Sequence, residues 1–91
     1  MSSKEKIQES RQAATEKEKI YEVILFNDDV HTFDFVIDTL MEVCGHDLLQ
    51  AEQCTLLVHY KGKAAVKHGS YDEMKAICTG LLDRGLSAEI L

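Results

Sequence analysis

Tyr21 to Phe26 alternates around strand formers, with Tyr21, Val23 and Leu25 on one face and Glu22, Ile24 and Phe26 on the other. Both faces are mostly apolar, which suits the central strand of a sheet. Asn27-Asp28-Asp29 ends that strand, because short polar side chains bond nearby backbone and favour a turn. Thr32 then caps a helix, with Asp34 well placed in its first turn. Phe33, Val36, Leu40 and Val43 make an apolar stripe, and Asp34, Asp38 and Glu42 an acidic one, until Gly45 stops the helix. Asp47-x-x-Gln50 matches a capping box and opens a second helix, with Leu48, Ala51, Thr55 and Val58 on its stripe and His59-Tyr60 at its close. Lys61 to Gly69 reads as a strand, with Lys61, Lys63 and Lys67 pointing one way and Ala64, Val66 and His68 the other. Ser70-x-x-Glu73 is a second capping box, followed by Met74, Ile77, Cys78 and Leu81 at helical spacing and by Gly85 as the stop. Leu86, Ala88 and Ile90 alternate with Ser87 and Glu89 in a last short strand. The expected order is β-α-α-β-α-β: an α/β chain of the α+β kind, a small single domain with a three-stranded antiparallel sheet and three helices packed on one face.

The 91 residues hold one domain at most. Residues 1–20 are dominated by Ser, Gln, Glu, Lys and Arg and carry too few apolar side chains to offset their ordering entropy. They are expected to form a flexible N-terminal tail, leaving 21–91 as the folded domain. No apolar run approaches the roughly 20 residues of a membrane span, and the N-terminus has no signal-peptide character. The expected location is the cytoplasm, with no membrane association. The formal net charge of -6 is unevenly spread: residues 21–60 contain eight acidic side chains and no Lys or Arg. Nucleic-acid binding needs clustered Lys and Arg and is not expected. An acidic half would attract a cation, or simply keep the surface solvated.

Cys44, Cys54 and Cys78 cannot pair fully and form no C-x-x-C, so they read as small buried apolar residues. Neither Cys44 with His46 nor Cys54 with His59 has zinc-finger spacing, so no metal site is expected. No nucleophile motif, P-loop or glycine-rich dinucleotide turn is present, so no catalytic residue is nominated and no cofactor is expected. The notable group is Asn27-Asp28-Asp29 at a strand end with His59 at a helix end. An ammonium group offers three N–H donors, and an Asn amide oxygen, an Asp carboxylate and a His ring nitrogen could accept them. The same residues could equally be an Asx turn and a histidine serving its own helix terminus.

Tyr21-Glu22-Val23-Ile24-Leu25-Phe26-Asn27-Asp28-Asp29, then Thr32-Phe33-Asp34-Phe35-Val36, then Val58-His59-Tyr60-Lys61-Gly62-Lys63-Ala64, resembles the ClpS family of adaptors. The likeness runs from about Tyr21 to the C-terminus and is strongest through Ala64. It implies a small domain of three strands and three helices behind an N-terminal tail. It also implies an adaptor and not an enzyme. Such an adaptor captures proteins with a destabilising first residue (N-degrons: Leu, Phe, Tyr or Trp) and delivers them, as a monomer, to a ClpA- or ClpC-type AAA+ unfoldase of the Clp protease.

Carried over by position, the resemblance implies that Asn27, Asp28 and His59 hold the substrate α-amine, with Asp29 as the second acid of the motif. Phe33, Val36, Thr55, Val58 and Leu86 would line the pocket for the first side chain, and His31 would border it. Glu73 and Lys75 fall near the surface that meets the unfoldase. Two features depart from the family pattern. Methionine is frequent at the positions of Phe33 and Thr55, and a proline is frequent soon after Asn-Asp-Asp, whereas this chain has no proline. The alternative to N-degron capture is a module that docks on a Clp unfoldase without reading N-degrons; an orphan enzyme or metal-binding domain is a third reading, from another class.

Overall fold

In the computed structural model, which describes residues 19–91, Tyr21–Phe26 is strand β1 and holds the centre of the sheet, as its two apolar faces require. The other elements are α1 (Phe33–Cys44), α2 (Leu48–Lys61), β2 (Lys63–Gly69), α3 (Tyr71–Asp83) and β3 (Ser87–Ile90). Both outer strands pair antiparallel with β1, giving the sheet order β2-β1-β3. The expected order of elements and the antiparallel three-stranded sheet are therefore present. The tail expected over residues 1–20 lies outside the described residues except for Lys19 and Ile20.

Val23 and Leu25 project from β1 into a core shared with Leu40 and Cys44 of α1, Ala51 and Val58 of α2, Val66 of β2, and Met74, Cys78 and Leu81 of α3. Each helix begins where a side chain satisfies an orphan N–H. Thr32 accepts from Phe35, Asp47 from Gln50, and Ser70 from Glu73. Only the last is a complete capping box, with the Glu73 carboxylate accepting in return from the Ser70 N–H. Gly80 sits where α3 meets α1: a Cβ there would come within 2.9 Å of Val43 Cγ1.

Three expectations are corrected. The second helix does not close at His59-Tyr60 but runs to Lys61, and Gly62, at φ 88°, supplies the left-handed residue that ends it. The strand that follows therefore starts at Lys63, two residues later than the alternation suggested. That strand also fails to alternate strictly. Val23 pairs with Lys67 but Ile24 pairs with Ala65, leaving Val66 as the extra residue of a β-bulge. Beyond the bulge the faces exchange. Lys67 lies opposite buried Val23 on the core side and is half-buried, whereas His68 lies opposite Glu22 and is exposed.

Candidate functional site

The end of β1 and the end of α2 are tied together by backbone. The Asn27 N–H donates to the Gly62 carbonyl at 2.9 Å, and the Gly62 N–H donates to the Val58 carbonyl at 2.9 Å. The left-handed turn at Gly62 thus brings Asn27 beside the last turn of α2, where His59 stands. The opposite wall arrives by a helix stop. Gly85, in the left-handed conformation, lets its own N–H reach the Leu82 carbonyl at 2.9 Å and the Leu86 N–H reach the Leu81 carbonyl at 3.1 Å. This is the Schellman pairing, and it turns Leu86 inward, where it is buried.

These constraints enclose one pocket of about 340 Å³, open to solvent. It is lined by Asn27, Asp28, Asp29, His31, Phe33, Val36, Thr55, Val58, His59 and Leu86, every residue nominated from the sequence for amine or side-chain binding. Leu25, Phe26 and Thr32 also line it and were not nominated. Leu25 stands two positions before Asn27, a spacing that puts both on one side of an extended chain; Phe26 and Thr32 carry only strand and cap signals in the sequence. Glu73 and Lys75 lie elsewhere, exposed in the first turns of α3, and the Glu73 carboxylate is engaged by the Ser70 N–H at 3.2 Å and Oγ at 3.0 Å.

The polar residues of the pocket are not equivalent. Asp28 Oδ1 accepts from the N–H groups of Val30 and His31, each at 2.9 Å, and the His31 ring donates from Nδ1 to Oδ2 at 2.9 Å. The His31 backbone N–H is the main reason the Asp28 carboxyl is held below its ordinary value of 3.8, against the opposing effect of burial. Asp28 is thus the acceptor of an Asx turn as well as a pocket residue. Among the described residues no hydrogen bond occupies the Asn27 side-chain amide, the Asp29 carboxylate or the His59 ring. His59 instead meets the Phe33 ring edge-on, with centroids 5.0 Å apart.

The apolar wall is cleaner than its sequence suggests. Thr55 is buried and its hydroxyl donates to the Ala51 carbonyl at 2.7 Å, so the polar atom is satisfied by its own helix. Val36 and Val58 extend that wall. The site therefore combines uncommitted acceptors and fixed negative charge with an apolar recess. Such a site can hold a cation bonded to a hydrophobic group.

A sequence profile of the family described as "ATP-dependent Clp protease adaptor protein ClpS" matches residues 16–89. The ATP-dependent Clp protease adapter protein ClpS of Campylobacter jejuni is 44% identical over 57 residues, 63% of this chain and 59% of that protein. The protein of the same name from Salmonella paratyphi B is 41% identical over 58 residues, 64% of this chain and 55% of that protein. The matched segment thus spans less than two thirds of the length of these relatives. Among solved structures, Agrobacterium tumefaciens ClpS2 bound to L-phenylalaninamide superposes with a TM-score of 0.76 at 24% identity, covering 80% of this chain and 95% of that one. At that identity the likeness establishes the fold.

Proposed function

The chain belongs to the ClpS family of Clp protease adaptors, and we propose that it captures polypeptides by a free α-amine together with an apolar first side chain. The cargo would pass to a ClpA- or ClpC-type unfoldase for ATP-dependent proteolysis. The family is one of adaptors, so the pocket has binding and not turnover to perform.

The observation that carries this reading is the composition of this pocket, with acceptors at Asn27, Asp29 and His59 beside an apolar recess of Val36, Thr55, Val58 and Leu86. Its volume of about 340 Å³ suits one large side chain with its amine, at the low end of the roughly 300–1,000 Å³ of small-ligand pockets. L-phenylalaninamide, the ligand of the Agrobacterium protein, is such a group: an amine and a benzyl side chain without a carboxylate. Specificity comes from requiring both halves. An amine alone would admit every N-terminus, and an apolar recess alone any exposed core residue. Leu, Phe, Tyr and Trp are the proposed first residues. Burying a Leu- or Phe-sized side chain contributes about 1.5–3 kcal/mol, and charge-assisted hydrogen bonds to the ammonium add about 1.5–3 kcal/mol each before desolvation.

We further propose a division of labour between the two acids. Asp28 is occupied by its own turn, so Asp29, exposed and uncommitted, is the better placed to meet the ammonium directly, while Asp28 supplies charge and shape.

A fluorescent Phe-first peptide and its N-acetylated twin test the reading by anisotropy. The free amine should bind, and acetylation, which removes the charge and two of three donors, should weaken binding at least about a hundredfold, the factor for two lost bonds of roughly 1.4 kcal/mol each. Equal affinities would remove amine recognition. An unfoldase that still engaged the protein in that case would favour the docking module that does not read N-degrons.

A further inference from the structure

The loop that carries the amine acceptors contains no proline to restrict its backbone, so its shape depends on side-chain contacts. We infer that His31 is a positioning residue whose imidazole locks the Asn27–Asp29 turn against α1 and against the α3–β3 connection.

Three contacts converge on this ring. Nδ1 lies 2.9 Å from Asp28 Oδ2 and 3.1 Å from Oδ1. The ring face stacks on Phe35 of α1, with centroids 4.9 Å apart and planes inclined by 22°. On the far side Nε2 lies against the Gly85 turn, where an added Cβ would sit 3.3 Å away. Gly85 is the residue that turns Leu86 into the pocket, so the ring spans from the amine acceptors to the apolar floor. Its side chain is only 21% exposed. A carboxylate facing Nδ1 requires the proton on that nitrogen, whichever charge state the ring adopts. The backbone N–H of His31 donates to the same carboxylate at 2.9 Å, so one residue closes the turn twice. With Asp28 held in this way, Asn27 and Asp29 on either side of it are fixed relative to His59 before a ligand arrives. The gain is preorganisation: ordering entropy that a mobile loop would lose on binding has already been lost on folding.

The inference rests on the amine-capture reading, and the experiment separates the two. Phe-first and N-acetylated Phe-first peptides are titrated by anisotropy into the wild type, His31→Phe and His31→Asn, with thermal melts alongside. His31→Phe keeps an aromatic ring to stack on Phe35 but cannot donate to Asp28. His31→Asn keeps a donor near the place of Nδ1 but loses the ring. The expected result is that His31→Phe weakens the free-amine peptide about tenfold, equivalent to 1.4 kcal/mol, and narrows its gap to the acetylated peptide, while His31→Asn stays within roughly threefold of wild type. A wild type with no gap overturns amine capture itself. A wild-type gap that His31→Phe leaves intact overturns the positioning role. Long-range proton–nitrogen correlation of the His31 ring supplies a readout that does not depend on a folded variant or on binding. Hydrogen on Nδ1 supports the lock, and a ring protonated on Nε2 alone overturns it.

Discussion

Thr55 is the residue at which first-residue selectivity is most open to change. It lies one turn before Val58 on α2 and lines the pocket, and its hydroxyl is turned into its own helix at 2.7 Å from the Ala51 carbonyl. What Thr55 offers the pocket is therefore mainly a methyl group, shorter than a methionine side chain. Phe33, 40% exposed at the rim, acts in the opposite sense by filling space from α1. On the proposed binding mode a short Thr55 would leave room beside the first residue's Cβ, where Ile and Val carry their branch. Discrimination against those residues should be weak in this protein. Thr55→Met should sharpen it by crowding the branch, raising the ratio of Ile-first to Leu-first dissociation constants roughly fourfold, the equivalent of one methylene at about 0.8 kcal/mol. Competition anisotropy with the two peptides measures the ratio in both proteins. An unchanged ratio would mean that position 55 does not touch the first side chain.

The elements are held by end groups as much as by their stripes, and the least legible of these is His46. It follows Gly45 in the turn between α1 and α2, is only 4% exposed, and donates from Nε2 to the Val66 carbonyl at 2.7 Å. Val66 is the bulged residue of β2, so His46 holds the irregular point of that strand. Nδ1 is buried with no partner among the described residues. His46→Ala should leave the Val66 carbonyl unsatisfied and cost roughly 1–3 kcal/mol in urea unfolding, while the peptide dissociation constant stays put because His46 does not line the pocket. A loss of stability under 0.5 kcal/mol would mean that water replaces the ring at no cost (about the scale of a surface substitution). The sequence did disclose the existence and order of all six elements, because strand alternation, the Thr32, Asp47 and Ser70 caps, and the glycine stops agree with one another. It hid the bulge, since one extra residue leaves no mark on composition yet exchanges the faces of Lys67 and His68. It hid the last residue of α2, Lys61, because that helix carries exposed Leu49, Leu56, Leu57 and Tyr60 on its outer side and has no sharp stripe to end. The pocket was legible only through resemblance: spacing alone left the Asn-Asp-Asp turn open between an Asx motif and a binding site. The structure makes Asp28 the Asx acceptor and leaves Asn27 and Asp29 uncommitted. The His31–Asp28 contact depends on loop geometry that no periodicity encodes.

At the scale of the whole molecule, charge makes pH the cleanest probe of capture, because three titrations fall in separate ranges. The segment from 21 to 60 supplies all the acidic pocket residues and contains eight acids with no Lys or Arg, so a protonated α-amine is drawn towards it. The free peptide amine loses its proton near pH 7.7–8.0, and with it the charge that the acceptors meet. On the acid side, the Asp28 carboxyl is held below 3.8 chiefly by the His31 N–H, so its turn is stabilised at all pH values above the ordinary carboxylate range. That stabilisation is lost as pH falls from 3.8 through the lowered value, because over that interval the unfolded chain binds a proton that the folded chain does not. On the alkaline side, burial pushes the Cys44 thiol from 9.0 up to about 11. Between those two values the unfolded chain releases a proton that the folded chain keeps, so this thiol erodes stability only above pH 9. Between about pH 5 and 9 neither group disturbs the fold, and a change in affinity there reports on the ligand amine or on the acceptors it meets. Affinity for a Phe-first peptide should weaken about tenfold between pH 7 and pH 9, one unit above the amine pKa. The acetylated peptide should show no such decline, and far-ultraviolet circular dichroism should stay constant across the range. Affinity that remained flat to pH 9 with the fold intact would show that the acceptors at Asn27, Asp29 and His59 do not depend on the positive charge of the amine.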